Sequence, residues 1–208
     1  MKVGGDYTFD GPQDLVWETF LDPVVLASVL PGCEKLELIG ENEYEGALKI
    51  KVGPVQGKFM GKVKLEDIKA PDSYTMQVDG RGAPGFVKAT GHLTLAPSDD
   101  KTFVTYEGDA QVGGKLASVG QRLMESSAKA IIKQSLDGLN AAVVARGEAA
   151  ASGSEAPPIT PVQAPSQAEF AANVAKEVAK DLLPPWARWG IGLILGAGLL
   201  YLLFTLFA

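Results

Sequence analysis

The sequence predicts an α+β chain: a curved antiparallel sheet of about seven strands around a long C-terminal helix, then a linker and a C-terminal transmembrane helix. Three observations predict it. Six strand-like runs follow one another at residues 34–40, 43–52, 55–68, 73–81, 86–96 and 101–112, divided by short turn signals. A long stretch of about 115–145 then repeats its apolar residues at helical spacing. All the charged residues lie in 1–188, and the last 20 residues, from Trp189 to Ala208, carry none.

Lys2–Phe9 reads as the first strand. Asp10-Gly11-Pro12-Gln13 reads as a helix start, with Asp10 as cap, Pro12 in the first turn and Gln13 three residues after the cap. Leu15, Val16, Phe20 and Leu21 give that helix its apolar face. Asp22-Pro23 restarts a second short helix, which Pro31-Gly32 ends. The strand turns are Gly40-Glu41-Asn42, Gly53-Pro54, Pro71-Asp72, Ala83-Pro84-Gly85 and Ser98-Asp99-Asp100. In the long helix Leu116, Val119, Leu123, Ala130, Ile131, Leu136, Leu139 and Val143 share a face, and Gly147 stands where a helix commonly stops. An antiparallel meander of this order leaves one face to water and packs the other on the helix.

Strand alternation sorts the residues of the sheet by face. The inward set includes Leu48, Ile50, Phe59, Val63, Met76, Val78, Leu93, Val104 and Tyr106, with Leu123 and Ile131 facing them from the helix. These are the expected ligand-binding residues of an apolar cavity, and Leu30 and Pro31 are expected at its mouth. The same face carries Gly46, Gly57, Gly61, Gly80, Gly91 and Gly108. Glycine weakens a strand interior, so its repetition needs a reason. One reading is sheet curvature and close approach of the helix; the other is room for a ligand. Only tyrosine hydroxyls, on Tyr44, Tyr74 and Tyr106, break the apolar face, so a guest would be held by burial, at about 25 cal/mol per Å². The outward face carries Lys49, Lys51, Lys58, Lys62 and Lys64. They read either as an ordinary solvated face or as a docking patch for an acidic protein or anionic lipid.

The chain divides into a globular domain at 1–146, an Ala/Pro/Ser-rich linker at 147–168, a short amphipathic helix at 169–185 and an anchor at 186–208. The linker composition cannot bury a core, and its mean span is roughly 25 Å. Phe170, Val174, Val178 and Leu182 lie four residues apart, and Pro184-Pro185 ends that helix. The run from Gly190 is about 28 Å long as a helix, close to the hydrocarbon thickness of a bilayer. Trp186 and Trp189 suit the interface, and Arg188 suits the cytoplasmic side. Gly192 and Gly196 have the spacing of a helix-pairing motif, which leaves homo-oligomerisation through this helix open beside chance spacing. The expected location is the cytoplasmic membrane, with the body facing the cytoplasm, because residues 1–12 lack the apolar stretch of a signal peptide.

Composition excludes several function classes. The formal net charge is −6, which argues against nucleic acid as a partner. One Cys and one His allow neither an internal disulfide framework nor a Cys/His metal site. His92 falls on the outward face, Cys33 has no base near it in sequence, and Val112-Gly113-Gly114 lacks phosphate-cradling spacing. The sequence does not read as an enzyme: no catalytic residue, metal or covalently bound cofactor is expected.

Three segments carry a resemblance. They are Pro31-Gly32-Cys33-Glu34-Lys35-Leu36-Glu37, Val52-Gly53-Pro54-Val55-Gln56-Gly57-Lys58-Phe59-Met60-Gly61-Lys62-Val63, and Ala110-Gln111-Val112-Gly113-Gly114-Lys115-Leu116-Ala117 continuing to Gly120-Gln121-Arg122-Leu123. In this order they resemble the CoxG family of carbon monoxide dehydrogenase subunits, within the START/Bet v1-like (SRPBCC) helix-grip superfamily; Asp22-Pro23 and Gly85-Phe86 also fit. The resemblance covers about residues 1–145. It implies a helix-grip fold around an apolar cavity. It also implies an accessory role beside a molybdenum-containing carbon monoxide dehydrogenase, recruiting that enzyme to the membrane. The guest it implies is an isoprenoid quinone, menaquinone or ubiquinone, linking the enzyme to the respiratory quinone pool by electron transfer. The alternatives are a pure anchor without ligand and a general lipid-binding protein of the same fold.

Overall fold

A computed structural model describes residues 1–152. The amphipathic helix and the transmembrane anchor expected from the sequence, and residues 153–168 of the linker, lie outside the described residues. Among the described residues no helix is long and apolar enough to cross a membrane.

The strands are β1 (Lys2–Phe9), β2 (Cys33–Gly40), β3 (Glu43–Val52), β4 (Val55–Lys69), β5 (Ser73–Gly82), β6 (Gly85–Ser98) and β7 (Lys101–Gly113). The helices are α1 (Gln13–Leu21), α2 (Pro23–Val29) and α3 (Gln121–Ser152), with a 3₁₀ turn at Gly114–Val119. All seven strands form one antiparallel sheet in the order β1-β7-β6-β5-β4-β3-β2. The meander is thus as expected, and α1 and α2 carry the chain from one edge strand to the other.

Three local expectations change. Asp10 does not cap α1, which starts behind Pro12 without a side-chain cap. The Asp10 carboxylate is instead engaged by Lys101 Nζ at 2.7 Å and Asn140 Nδ2 at 3.0 Å, which together hold it below the usual carboxylate range. Gln13 reaches away from the helix start, donating to the Asp72 carboxylate at 3.0 Å and to the carbonyls of Pro71 and Leu95. The long helix begins at Gln121 and not near 115, because Gly120 takes a positive φ of 90° between it and the 3₁₀ turn. It also runs past Gly147 to Ser152, so residues 147–152 of the expected linker are helical. Gly147 faces Leu15 of α1, and a Cβ there would stand 3.7 Å from it, an ordinary contact.

Asp22 does cap α2 as read. Its carboxylate accepts from the backbone N–H of Val24 at 2.8 Å and Val25 at 3.2 Å. The same carboxylate accepts from Arg146 of α3, whose guanidinium also reaches Thr19 Oγ1 at 3.5 Å. Gly138 lets α3 approach α2, since a Cβ there would stand 2.9 Å from that of Val29.

The apolar interior is in two parts. The larger joins α1, α2 and α3 to the sheet through Phe9, Val16, Phe20, Val104, Leu139 and Val143, with Phe9 and Phe20 edge-on at 5.3 Å. The smaller, at the far end of the sheet, is Val52, Phe59 and Leu116 with Ile50, Val87 and Leu123 packed around them.

Candidate functional site: an apolar cavity under the long helix

A cavity of about 370 Å³ opens between α2, α3 and the concave face of the sheet. Six of the expected cavity residues line it: Val63, Met76, Val78, Leu93 and Tyr106 from the sheet and Ile131 from α3. Leu30, at the end of α2, lines it as well.

The other expected cavity residues stand elsewhere. Ile50, Phe59 and Leu123 belong to the second apolar cluster. Leu48 sits opposite Phe59 on β3, toward that cluster and off the cavity wall. Val104 points inward but is wholly buried in the main core. Pro31 is half-buried in the turn after α2 and is not part of the wall. Alternation gives a residue's face; where α3 crosses the sheet decides which inward residues it covers.

Leu26, Leu36, Tyr44, Tyr74 and Ala89 line the cavity and were not among the expected ligand residues. Tyr44, Tyr74 and Ala89 share the inward parity, and Leu26 stands one helical turn before Leu30, so the signal was present in the same periodicities.

Gly46, Gly61 and Gly80 stand opposite one another on β3, β4 and β5, and Gly91 faces Gly108 across β6 and β7. A Cβ on Gly108 would lie 2.9 Å from the Thr90 carbonyl oxygen, so there the strands crowd and the glycine permits the bend. Of these five, Gly91 and Gly108 line the cavity; a Cβ on Gly80 would meet nothing nearer than the Val87 carbonyl oxygen at 3.8 Å, but Gly80 is off the cavity wall.

Polar groups are few on this wall. The Tyr44 hydroxyl donates to the Leu21 carbonyl at 2.9 Å, and Ser135 Oγ donates to the Ile131 carbonyl at 2.9 Å. Tyr74, only 3% exposed, stacks edge-on to Trp17 at 5.6 Å. Among the described residues neither the Tyr74 nor the Tyr106 hydroxyl has a hydrogen-bond partner. Burial pushes both phenols above their ordinary range, so both stay protonated donors at neutral pH. Thr90, His92, Glu107 and Asp109 flank the wall glycines, but their register turns their side chains to the outer face, where His92 Nδ1 lies 3.3 Å from Thr75 Oγ1. Among the described residues no group of three His, Cys, Asp or Glu comes together. The Cys33 thiol is half-buried, and that burial raises its pKa, so it is not a poised nucleophile.

The five lysines of the β3–β4 hairpin all lie on the outer face, and three are paired. Lys58 meets Glu34 at 2.7 Å, Lys62 meets Glu45 at 3.8 Å and Lys64 meets Glu66 at 3.1 Å. Lys49 and Lys58 stand directly opposite each other, and the carboxylate of Glu34 relieves their repulsion. Hydrogen bonding to Lys58, helped by the charge of Lys49, holds that carboxyl below its usual range.

Comparison with known proteins agrees with this architecture. A conserved protein from Geobacillus kaustophilus is 36% identical over 69% of this chain and 95% of its own, with a TM-score of 0.67. A START superfamily protein from Mycobacterium smegmatis, 11% identical, covers 68% of this chain and 96% of its own with a TM-score of 0.53. An aromatase/cyclase from Streptomyces sp. R1128, 16% identical, covers 72% and 97% with a TM-score of 0.53. These last two share the fold alone. No curated protein matches the sequence. The family model for CoxG, described as a carbon monoxide dehydrogenase subunit, matches residues 5–144, nearly the whole sheet and most of α3. With a bent sheet gripping a helix over an apolar cavity, and that match across the folded body, the chain belongs to the CoxG family.

Proposed function

We propose that this chain is a membrane-anchored accessory protein that holds an isoprenoid quinone in its cavity beside a molybdenum-containing carbon monoxide dehydrogenase. The observation that carries the reading is the nearly polar-free cavity under α3. A volume of 370 Å³ falls at the small end of ligand pockets, about 300–1,000 Å³. It suits a ring and the start of a tail, with the rest of a long chain leaving past Leu30. The Tyr74 and Tyr106 hydroxyls are the donors available to a ring carbonyl, and they bring no charge into the site. The quinone would accept the electrons; the protein would supply shelter and, through its tail, proximity to the bilayer.

In this reading the partner is the dehydrogenase suggested by the family, the uncharged C-terminal run holds the body on the cytoplasmic side of the membrane, and the chain itself carries out no catalysis. The test is to purify the full chain from its own membrane and identify the co-purifying lipid by mass spectrometry. A stoichiometric quinone is the expected result. Protein that is empty, and that also fails to quench its tryptophan fluorescence on addition of a short-chain quinone, would reduce the role to that of an anchor.

A further inference from the structure

α2 is apolar on every side. Residues Pro23 to Cys33 carry no charge. Val25 and Val29 are buried, and Gly138 lets α3 close on Val29. Leu26 and Leu30 line the cavity. The remaining side chains, Pro23, Val24, Ala27 and Pro31, reach the surface; Val24 is 64% exposed and the others are half-buried. The one hydroxyl, on Ser28, is buried and donates to the Val25 carbonyl at 2.7 Å. A surface helix normally turns a polar face to water, and a helix without one belongs inside something.

α2 packs along β2, the edge strand of the sheet. Leu36 and Leu38 share a face of that strand, opposite Gly46 and Tyr44. Leu36 lines the cavity and Leu38 is 54% exposed, so the cavity wall runs out onto the surface without a polar break. The Tyr44 hydroxyl, bonded to the Leu21 carbonyl, brings that end of the strand beside the start of α2. Val24 and Leu38 thus belong to one apolar lip.

Three features select what covers the lip. Arg146 meets Asp22, the cap of α2, and α3 ends six residues later at Ser152, about 9 Å further on. The chain therefore leaves the body at the end of α2 that carries Val24, and it continues to the uncharged run from Trp189 to Ala208. The charges that border the lip are paired: Asp22 with Arg146, Glu34 with Lys58 and Lys35 with Glu37. Among the described residues Glu41, in the turn after β2, has no such partner, so the border is slightly acidic and favours neither an acidic protein nor anionic headgroups. The lip itself is Val, Leu, Ala and Pro, without the Trp, Tyr, Met or Arg on which protein interfaces mostly anchor.

We infer that the lip formed by α2 and the end of β2 lies in the surface of an uncharged lipid bilayer, with Val24 and Leu38 among the acyl chains. The inference rests on the proposed function, whose anchor brings the body to the membrane. A guest then passes between bilayer and cavity along Leu26, Leu30 and Leu36 without meeting water. So small an apolar area does not hold a protein on a bilayer alone, since even one acyl chain binds only marginally. The tether supplies the local concentration.

The test places the full chain in phosphatidylcholine vesicles with an environment-sensitive fluorophore on a single cysteine, from Val24→Cys, Leu38→Cys or Met60→Cys, each combined with Cys33→Ser. Met60, 52% exposed on the outer face of the sheet, is the control. Lipid spin-labelled on its acyl chain should quench the fluorophore at 24 and 38 but not at 60, and high salt should leave this unchanged. Val24→Asp should lower the quenching at 38 severalfold at an unchanged melting temperature. No guest is needed for this readout, so a chain that proves empty still tests the lip. Vesicle-bound chain without quenching at 24 and 38 would overturn the lip and leave the cavity reading standing. Equal quenching at all three positions would overturn the orientation. Quenching that needs anionic lipid and vanishes in salt would replace acyl-chain contact by headgroup attraction. A full chain that does not stay with the vesicles would overturn the anchor and this inference together.

Discussion

Arg146, in the last third of α3, donates to the carboxylate of Asp22, the residue that starts α2. One carboxylate thereby fixes three things: the turn between α1 and α2, the first N–H groups of α2, and the position of the long helix over both. Burial alone would raise the Asp22 pKa, but the Arg146 hydrogen bond and the Val24 and Val25 amides outweigh it and hold it low.

That relationship predicts a pH dependence. A carboxyl whose folded pKa lies below its unfolded value, about 3.9, contributes stability above that pH and loses it as pH falls through the folded pKa. Asp22→Asn should therefore cost about 1–3 kcal/mol at pH 7, from the lost charge pair and the weakened cap. The gap to the unaltered chain should shrink below about pH 4 as Asp22 protonates. Urea unfolding at pH 7 and pH 3 checks it; an equal gap at both would mean that the charge plays no part.

Space in the cavity can be separated from bending of the sheet. Ala89→Leu adds bulk at a residue that lines open volume, so thermal stability should hold while the amount of bound lipid falls severalfold. Gly46→Ala, off the cavity wall, pushes a methyl group to 3.0 Å from the Lys35 carbonyl oxygen and should cost about 1–3 kcal/mol without filling the cavity. Thermal melts set beside lipid content distinguish the two.

Tyr74→Phe removes a buried hydroxyl that has no protein partner among the described residues. The hydroxyl makes no bond to the protein and stands on the cavity wall, so its loss removes no native hydrogen bond and the melting temperature should stay level. Affinity for a carbonyl-bearing guest should fall by about tenfold, the worth of one hydrogen bond. Titration with a short-chain quinone and with a hydrocarbon of similar size tests this; equal loss for both would exclude a role in carbonyl binding.

Removal of residues 186–208 should shift the chain from the membrane pellet to the soluble fraction and leave the fold intact, because the matched family region ends at residue 144. Circular dichroism and sedimentation of membranes read the two effects separately.

The fold was legible to an unusual depth because the strands are long and alternate cleanly: the Gly46, Leu48, Ile50 parity and the Val63, Leu65 parity place each side chain on the face where the register puts it. The division of the inward face was not legible. Leu48, Ile50 and Phe59 have the same parity as Val63 and Met76; Leu116 of the 3₁₀ turn and Leu123 at the start of α3 pack on the second cluster, while the cavity lies under Ile131, Leu136 and Leu139 farther along the helix. The outer face was half legible. Five lysines are visible in the chain, but Glu34, which neutralises Lys58, comes from β2. Asp10 failed as a cap because its partners, Lys101 and Asn140, are about a hundred residues away in the chain.

The hollow inside the main cluster carries a consequence for stability. Its wall includes Phe20, Tyr44, Tyr74, Leu93, Leu136 and Leu139 of that cluster and no residue of the Val52-Phe59-Leu116 cluster. An occupant would fill a gap within the main cluster, so that the guest becomes part of the hydrophobic core. Cargo and stability are then one quantity: a loaded chain is stiffer and outlasts proteolysis, an unloaded one is softer, and the cell would keep the copies that have something to carry.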